Sequence, residues 1–297
     1  MSVPEINAPE LKFVQANGIR LAYFERGKPS ADKPTLLFVH ATGFHGRLWD
    51  YHAEAFPDYH SIALELRAHG RSENASFKDW SDFGVDQREF INAVGLKNVV
   101  GVAHSMGAHT LLDAAAMTGV FDRLLLLDPT VAEPEAYNDS YEASFGDQLH
   151  PAARRRNNYA SAEDMLARLS GKSSFPYFKP RILWDYCQYG LEQTDSGDYQ
   201  LCCPPELEAR VYMTARTNGE VYNSIRSLDI PVTIVRAKLP DPDAGQDFSS
   251  SPTWPEPAGE FAQARDLHWQ DCSHFIPMQR PDDVNKLLAE ELDAWRK

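Results

Sequence analysis

Ser105 stands in the run GVAHSMGAH (101–109), with Ala103 two residues before it and Gly107 two residues after. An apolar, β-branched run precedes it (98–104) and a helix-like run follows it (106–117). A serine on so tight a strand-to-helix turn needs small neighbours, and the turn lifts its Oγ above the strand ends, where a base can take its proton. The helix behind it directs backbone N–H groups and the positive end of its dipole at a developing oxyanion. Such a serine would also serve as an ordinary helix N-cap, but the strand before and the helix after favour a nucleophile. The chemistry implied is acyl transfer.

That chemistry needs donors, a base and an acid. HATGFHG (40–46) follows an apolar strand-like run, and a loop at that place donates one backbone N–H to the oxyanion. We assign the two donors to Thr42 and Met106, with Gly43 giving the loop its conformational freedom. The run DCSHFIPMQRPDDV (271–284) places His274 as the base, in the chain order serine, acid, histidine. His268, inside a strand-like run, and His104, beside the serine, read better as core or sheet-surface residues. The acid must accept a hydrogen bond from the histidine Nδ1–H. Asp128 ends the run RLLLLD and is preferred, because a strand end fixes its backbone; it would also fit a simple Asp-Pro turn. Asp241 is the alternative acid, with Asp243 beside it, in the long proline-rich loop LPDPDAGQDFSSSPTWPEP. LELRAHGRSEN (64–74) reads as a structural turn in which Arg67 and Ser72 organise the loop and His69 is not catalytic.

The elements that must position these residues alternate between strand and helix. LKFVQ and IRLAYFE flank Asn17-Gly18 and predict a hairpin. Strands are expected at 35–40, 60–66, 98–104, 123–128, 229–237 and 264–270. Helical patterns fall near 48–56, 80–96, 106–117 and 282–297. Alternation stops over 129–228, which reads as helical or irregular and as a cap inserted between the sixth and seventh core strands. The expected division is 1–128 and 229–297 for the core and 129–228 for the cap. Phe175, Tyr177, Phe178, Trp184, Tyr186 and Tyr189 crowd one stretch of that segment. Phe44, Trp184, Tyr186 and Tyr189 are assigned to an apolar, partly aromatic substrate pocket, although aromatic residues also pack a cap onto its core. Arg154-Arg155-Arg156 could meet a substrate carboxylate, but a solvated helix face is the preferred reading.

With these runs in view, the chain resembles the α/β-hydrolase superfamily over almost its whole length. The resemblance rests on His40 to Phe44, on Arg67-Ala68-His69-Gly70-Arg71-Ser72, on Ala103 to Gly107 and on Ser273-His274-Phe275. The set resembles cap-bearing bacterial serine hydrolases of the esterase and lactonase kind. Alanine replaces the usual glycine at 41, 68 and 103. The resemblance implies a mostly parallel central sheet flanked by helices. It also implies a Ser105–His274–Asp128 triad that cleaves an ester or lactone of small to medium size with hydrophobic bulk. Epoxide hydrolases and haloalkane dehalogenases of this fold carry an aspartate where this chain has Ser105. Lactonases, carbon–carbon bond hydrolases, lyases and perhydrolases share the pattern, and a catalytically silent binding protein is the rival outside enzymology.

Composition sets the outer bounds. The chain has 297 residues, 43% hydrophobic, enough for a large core, and a formal net charge of −14 that disfavours nucleic acid and anionic membranes as partners. A small-molecule substrate is the expected partner, and a monomer and a homodimer both fit. Cys187, Cys202, Cys203 and Cys272 are too sparse for a disulfide scaffold. No run has the length of a membrane span, and MSVPEINAPELKF lacks the basic and apolar regions of a secretory signal, so a cytoplasmic location is expected. No histidine pair has metal-ligand spacing and no phosphate-cradling glycine loop occurs, so no cofactor is expected.

Overall fold

Residues 8–138, 142–146, 148–172, 174–241 and 248–296 are described by a computed structural model. β1 (Glu10–Ala16) and β2 (Ile19–Arg26) form the hairpin, pairing antiparallel from Glu10 opposite Glu25 to Ala16 opposite Ile19. Asn17 and Gly18 both take positive φ, which lets a two-residue turn follow the twist of the strands. The alternation then runs β3 (Thr35–Val39), α1 (Asp50–Glu54), β4 (Ser61–Leu64), α2 (Trp80–Val94), β5 (Val99–His104), α3 (Met106–Thr118) and β6 (Phe121–Leu127). After a long insertion holding β7 to β9 and α4 to α7, the core resumes with β10 (Val232–Arg236), β11 (Ala264–His268), α8 (Ile276–Gln279) and α9 (Pro281–Trp295).

Eight strands form one sheet in the order β1-β2-β4-β3-β5-β6-β10-β11, parallel from β4 to β11 and antiparallel at the β1–β2 edge. Every residue of β3, β4, β5 and β10 is buried, which is why these segments read as unbroken apolar runs. Successive side chains point to opposite faces. Leu37 and Val39 therefore pack with Phe83, Phe90 and Leu111 of α2 and α3, while Leu36 and Phe38 pack with Trp49, Leu288 and Leu292 beside α1 and α9. A third apolar cluster joins Phe44 and Leu48 of the core to Met165, Phe178, Ile182 and Tyr186 of the insertion.

The insertion holds α4 (Ala162–Leu169), α5 (Pro180–Tyr189), α6 (Pro205–Met213) and α7 (Val221–Ser227). It is not only helical or irregular, as its sequence suggests. β7 (Asn158–Tyr159), β8 (Leu191–Gln193) and β9 (Tyr199–Leu201) make a separate antiparallel sheet in the order β7-β9-β8. Strands of two or three residues are too short to show an alternating pattern. Among the described residues no helix is long and apolar enough to cross a membrane.

Candidate active site

β5 delivers Ser105 to the end of the sheet, where its backbone takes φ 57° and ψ −125° before α3 begins. A non-glycine residue pays on the order of 1–3 kcal/mol for such a conformation, so the surroundings must enforce it. The Ser105 N–H donates to the Leu127 carbonyl at 3.1 Å, and its own carbonyl accepts from Ala108 and His109, each at 3.1 Å. Gly107 cannot be replaced cheaply: a Cβ there would lie 2.2 Å from the His40 carbonyl oxygen. Ala103 sits fully buried in β5 with no such demand, so alanine serves where the usual pattern has glycine. Ala68 is different, because its φ of 61° is strained for alanine, by about 1–2 kcal/mol.

Ser105 Oγ lies 2.9 Å from His274 Nε2, and His274 Nδ1 lies 2.7 Å from Asp128 Oδ2. An ionised carboxylate only accepts, so the Nδ1–H donates to Asp128 and Nε2 is left to accept from Ser105. All three are buried, with Asp128 at 0%, His274 at 2% and Ser105 at 7% exposure. Asp128 leaves β6 with φ 45° and turns its carboxylate under His274. Its other oxygen, Oδ1, accepts from the Ala237 N–H at 2.9 Å and the Ser251 hydroxyl at 2.5 Å, and lies 3.2 Å from the Thr253 hydroxyl, whose single proton goes to the nearer Pro129 carbonyl. Three donors thus converge on one buried charge, which offsets its loss of water.

The alternative acids are not brought to His274 in this way. Asp241 is not the partner of Nδ1, because Asp128 occupies that contact; Asp243 lies outside the described residues. The loop after β10 instead supplies Ser251 and Thr253 to Asp128, and Phe248, whose carbonyl accepts the His274 N–H at 3.2 Å. The Phe248 ring stacks on the His274 imidazole at 5.9 Å.

Thr42 and Met106 are both buried, and Met106 directly follows the serine. Met106 opens α3, so its N–H has no partner within the helix. The loop before Thr42 is pinned by His40, whose Nδ1 donates to the Ala41 carbonyl at 2.8 Å and whose Nε2 accepts the Leu66 N–H at 3.0 Å. Burial, then the neighbouring His69, holds the His40 imidazole well below its ordinary value, so it stays neutral. Gly43 turns the loop with φ 76°. Arg67 forks onto Asp86 with two contacts of 2.7 Å, and Ser72 ties Glu65 to Ala22, which is the structural part expected of that segment. His69 is fully buried, its Nδ1 on the Arg67 carbonyl at 2.7 Å.

Several participants escaped sequence reasoning. Thr130 Oγ1 lies 3.1 Å from Ser105 Oγ, and its N–H donates to the Ser105 carbonyl at 3.2 Å. Its only sequence signal is its place two residues after Asp128. Ser251 and Thr253 carry no signal at all beyond lying in the loop after β10. His104, expected as a core or sheet-surface residue, donates from Nε2 to the His274 carbonyl at 2.9 Å with its ring 4.8 Å from that of His274. Burial, and next the His274 imidazole, keep its value well below the ordinary one.

The aromatic residues divide. Phe44 packs edge-on against Tyr186 at 5.2 Å and Phe275 at 5.7 Å, and lies 6.3 Å from His104. Tyr189 is turned away from that cluster: the Arg47 guanidinium covers its ring at 3.8 Å, and it lines a separate groove of about 900 Å³ with Asp50, Glu54 and Arg181. Trp184 is half-buried and makes none of the ring contacts of the Phe44 cluster. Arg154 and Arg156 are exposed, as a solvated face requires, but Arg155 is not. Arg155 is three-quarters buried and donates to Glu208 at 2.5 Å and to the Tyr186 hydroxyl at 2.8 Å, while Arg156 pairs with Asp164. The partner Glu208 stands more than fifty residues away, out of reach of any local pattern. All four cysteines are free and buried, and burial pushes Cys187, Cys202 and Cys272 up to about 12, which makes them poor nucleophiles. Among the described residues no group of three His, Cys, Asp or Glu side chains could hold a metal ion.

The model of the alpha/beta hydrolase family matches residues 36–287. The chain belongs to the alpha/beta hydrolase family. It is 25% identical to a lipase of Mycobacterium tuberculosis over 280 residues, covering 86% of this chain and 92% of that protein. An abhydrolase domain-containing protein of Schizosaccharomyces pombe is 22% identical over 93% of this chain and 98% of its own. Epoxide hydrolase 2 of Caenorhabditis elegans is 32% identical, but only over 45% of this chain and 38% of that protein. Among solved structures, E-2-(acetamidomethylene)succinate hydrolase superposes with a TM-score of 0.73 at 19% identity, covering 96% of this chain and 100% of the other. The enol-lactonase from Burkholderia xenovorans LB400 gives 0.66 at 17%, covering 95% and 100%. At these identities the structural likeness shows the alpha/beta hydrolase fold.

Proposed function

We propose that this alpha/beta hydrolase cleaves a carboxylic ester or lactone of a small to medium hydrophobic substrate through an acyl-enzyme on Ser105. The observation that carries the reading is the buried relay from Asp128 through His274 to Ser105, with contacts of 2.7 and 2.9 Å. His274 Nε2 takes the hydroxyl proton as Ser105 Oγ bonds to the carbonyl carbon. Thr42 and Met106 N–H groups hold the oxyanion, and the imidazolium returns the proton to the leaving alkoxide as the tetrahedral intermediate collapses. Water then repeats the sequence: His274 takes its proton, hydroxide attacks the acyl carbon, and Ser105 leaves with the proton returned. Asp128 holds the imidazole in the required tautomer and stabilises its cation. Every step uses side chains and amides of this chain and water. Residues 129–228 act as a cap, and Phe44 and Tyr186 as part of the acyl pocket.

The local likeness to an epoxide hydrolase does not redirect this reading, because a serine nucleophile yields an acyl ester that water can hydrolyse. The test is turnover of a panel of acyl esters and lactones in ¹⁸O-labelled water. One labelled oxygen in the released acid, with turnover absent in Ser105→Ala, supports the reading. Turnover without label, or a product other than the acid, assigns the chain to a lyase or perhydrolase instead.

A further inference from the structure

The loop that carries Thr42 is held on its outer side by the insertion. Gly43 has Glu208 so close that a Cβ would lie 2.7 Å from Oε1 and 3.3 Å from Arg155 Nη1. The Gly43 N–H faces the Cys203 thiol. Phe44 packs edge-on against Tyr186, and His45 Nε2 lies 3.3 Å from the Tyr186 carbonyl. The three residues after Thr42 are therefore each seated against α5, α6 or the segment between β9 and α6. The void left between loop and insertion is about 10 Å³, at the lower bound for one water.

At the centre of this contact is an ion pair that packing alone does not require. Arg155 Nη1 donates to Glu208 at 2.5 Å and Nη2 to the Tyr186 hydroxyl at 2.8 Å, with Glu208 only 4% exposed. Burying two such charges costs several kcal/mol per ion, and apolar residues of similar volume often stabilise as well or better. What the pair adds over an apolar contact is fixed geometry: a forked cation holds the carboxylate at one place against Gly43.

We propose that the Arg155–Glu208 pair positions the oxyanion loop, so that seating the insertion and completing the oxyanion hole are one event. The proposal rests on the acyl-transfer reading above. Its consequence follows from burial. Ser105 is 7% exposed and its Oγ touches Thr130 of the insertion at 3.1 Å, so in this proposal an insertion that lifts to admit substrate frees Gly43 and with it the Thr42 N–H. Acyl transfer then proceeds only after the insertion has closed over the substrate. Arg155 and Glu208 are positioning residues, acting through Gly43 rather than on the substrate.

The test compares wild type, Glu208→Gln, Arg155→Lys and the double variant Arg155→Met/Glu208→Leu, with p-nitrophenyl acetate as substrate and an alkyl trifluoromethyl ketone as oxyanion-forming inhibitor. Expected are a kcat lower by about tenfold or more, a KM within about threefold of wild type, and a trifluoromethyl ketone Ki weakened in proportion to kcat/KM. Should the single variants fail to fold, the apolar double variant, which leaves no unpaired charge, carries the test. Folded variants with wild-type kcat, or with a loss confined to KM, overturn the positioning proposal while Ser105-dependent turnover of wild type leaves the acyl-transfer reading standing. Wild type no faster than Ser105→Ala overturns that reading, and the proposal with it.

Discussion

A serine hydroxyl is a weak nucleophile until a base removes its proton, and Ser105 meets His274 Nε2 at 2.9 Å inside a site with almost no exposure to water. With Oγ–H donating to Nε2, the Thr130 hydroxyl at 3.1 Å is left to donate to Oγ, where it would stabilise the charge that builds as the proton leaves. Thr130→Val is expected to lower kcat/KM about tenfold, the worth of one hydrogen bond to a charged group, with the thermal midpoint little changed. Steady-state kinetics and a melting curve check it, and an unchanged kcat/KM would remove Thr130 from the mechanism. Asp128→Asn is expected to cost roughly 10⁴-fold in kcat, because an amide can hold the imidazole in the wrong tautomer. Ser105 and His274 were legible because steric demand and chain order mark them. Thr130, Ser251 and Thr253 were not, since a hydroxyl that only donates to a neighbour leaves no pattern. Asp128 was preferred for a physical reason, the fixed backbone at a strand end, and that reason matches its contact with His274.

At the scale of elements, the turn between β5 and α3 depends on the approach of two backbones. A Cβ at Gly107 would stand 2.2 Å from the His40 carbonyl, which is rigid backbone at the end of β3. Gly107→Ala is therefore expected to destabilise by about 3 kcal/mol or more, or to shift the loop before Thr42. Denaturant unfolding measures the first and the ester kcat the second; a variant normal in both would contradict the packing described. The central strands could be read because burial on both faces leaves continuous apolar runs, and the hairpin because Asn17-Gly18 suits the turn. β7, β8 and β9 could not, because two or three residues make no period. Arg155 departs from the solvated face expected of Arg154–Arg156 for a related reason: charge runs are usually solvated, and the partner that buries Arg155 lies on α6.

Across the whole molecule, the insertion is clamped to the core by ions as well as by the Phe44 cluster. Arg181 of α5 forks onto Glu54 of α1 at 2.6 and 2.8 Å, and Lys179 pairs with Asp282 of α9 at 2.8 Å. Asp185, one turn along α5, faces Arg181, Asp50, Glu54 and Arg47, and burial pushes its carboxyl up to about 6 despite the nearby Arg181. The folded chain thus keeps a proton that the unfolded chain releases above the ordinary value of 3.8. This contribution to stability is full below 3.8 and is lost as pH rises through about 6. Asp185→Asn mimics the protonated form, so its gain in thermal midpoint is expected to be larger at pH 7.5 than at pH 4.5; an equal gain at both would contradict the assignment.

The central claim, an activated Ser105, is tested most directly by fluorophosphonate labelling with the adduct mapped by mass spectrometry in wild type, Ser105→Ala and His274→Ala. An adduct on Ser105 in the wild-type protein, absent in Ser105→Ala and slowed by orders of magnitude in His274→Ala, is the expected result. A folded wild-type protein that takes no label at Ser105, and that also leaves small activated acyl esters intact, would contradict it.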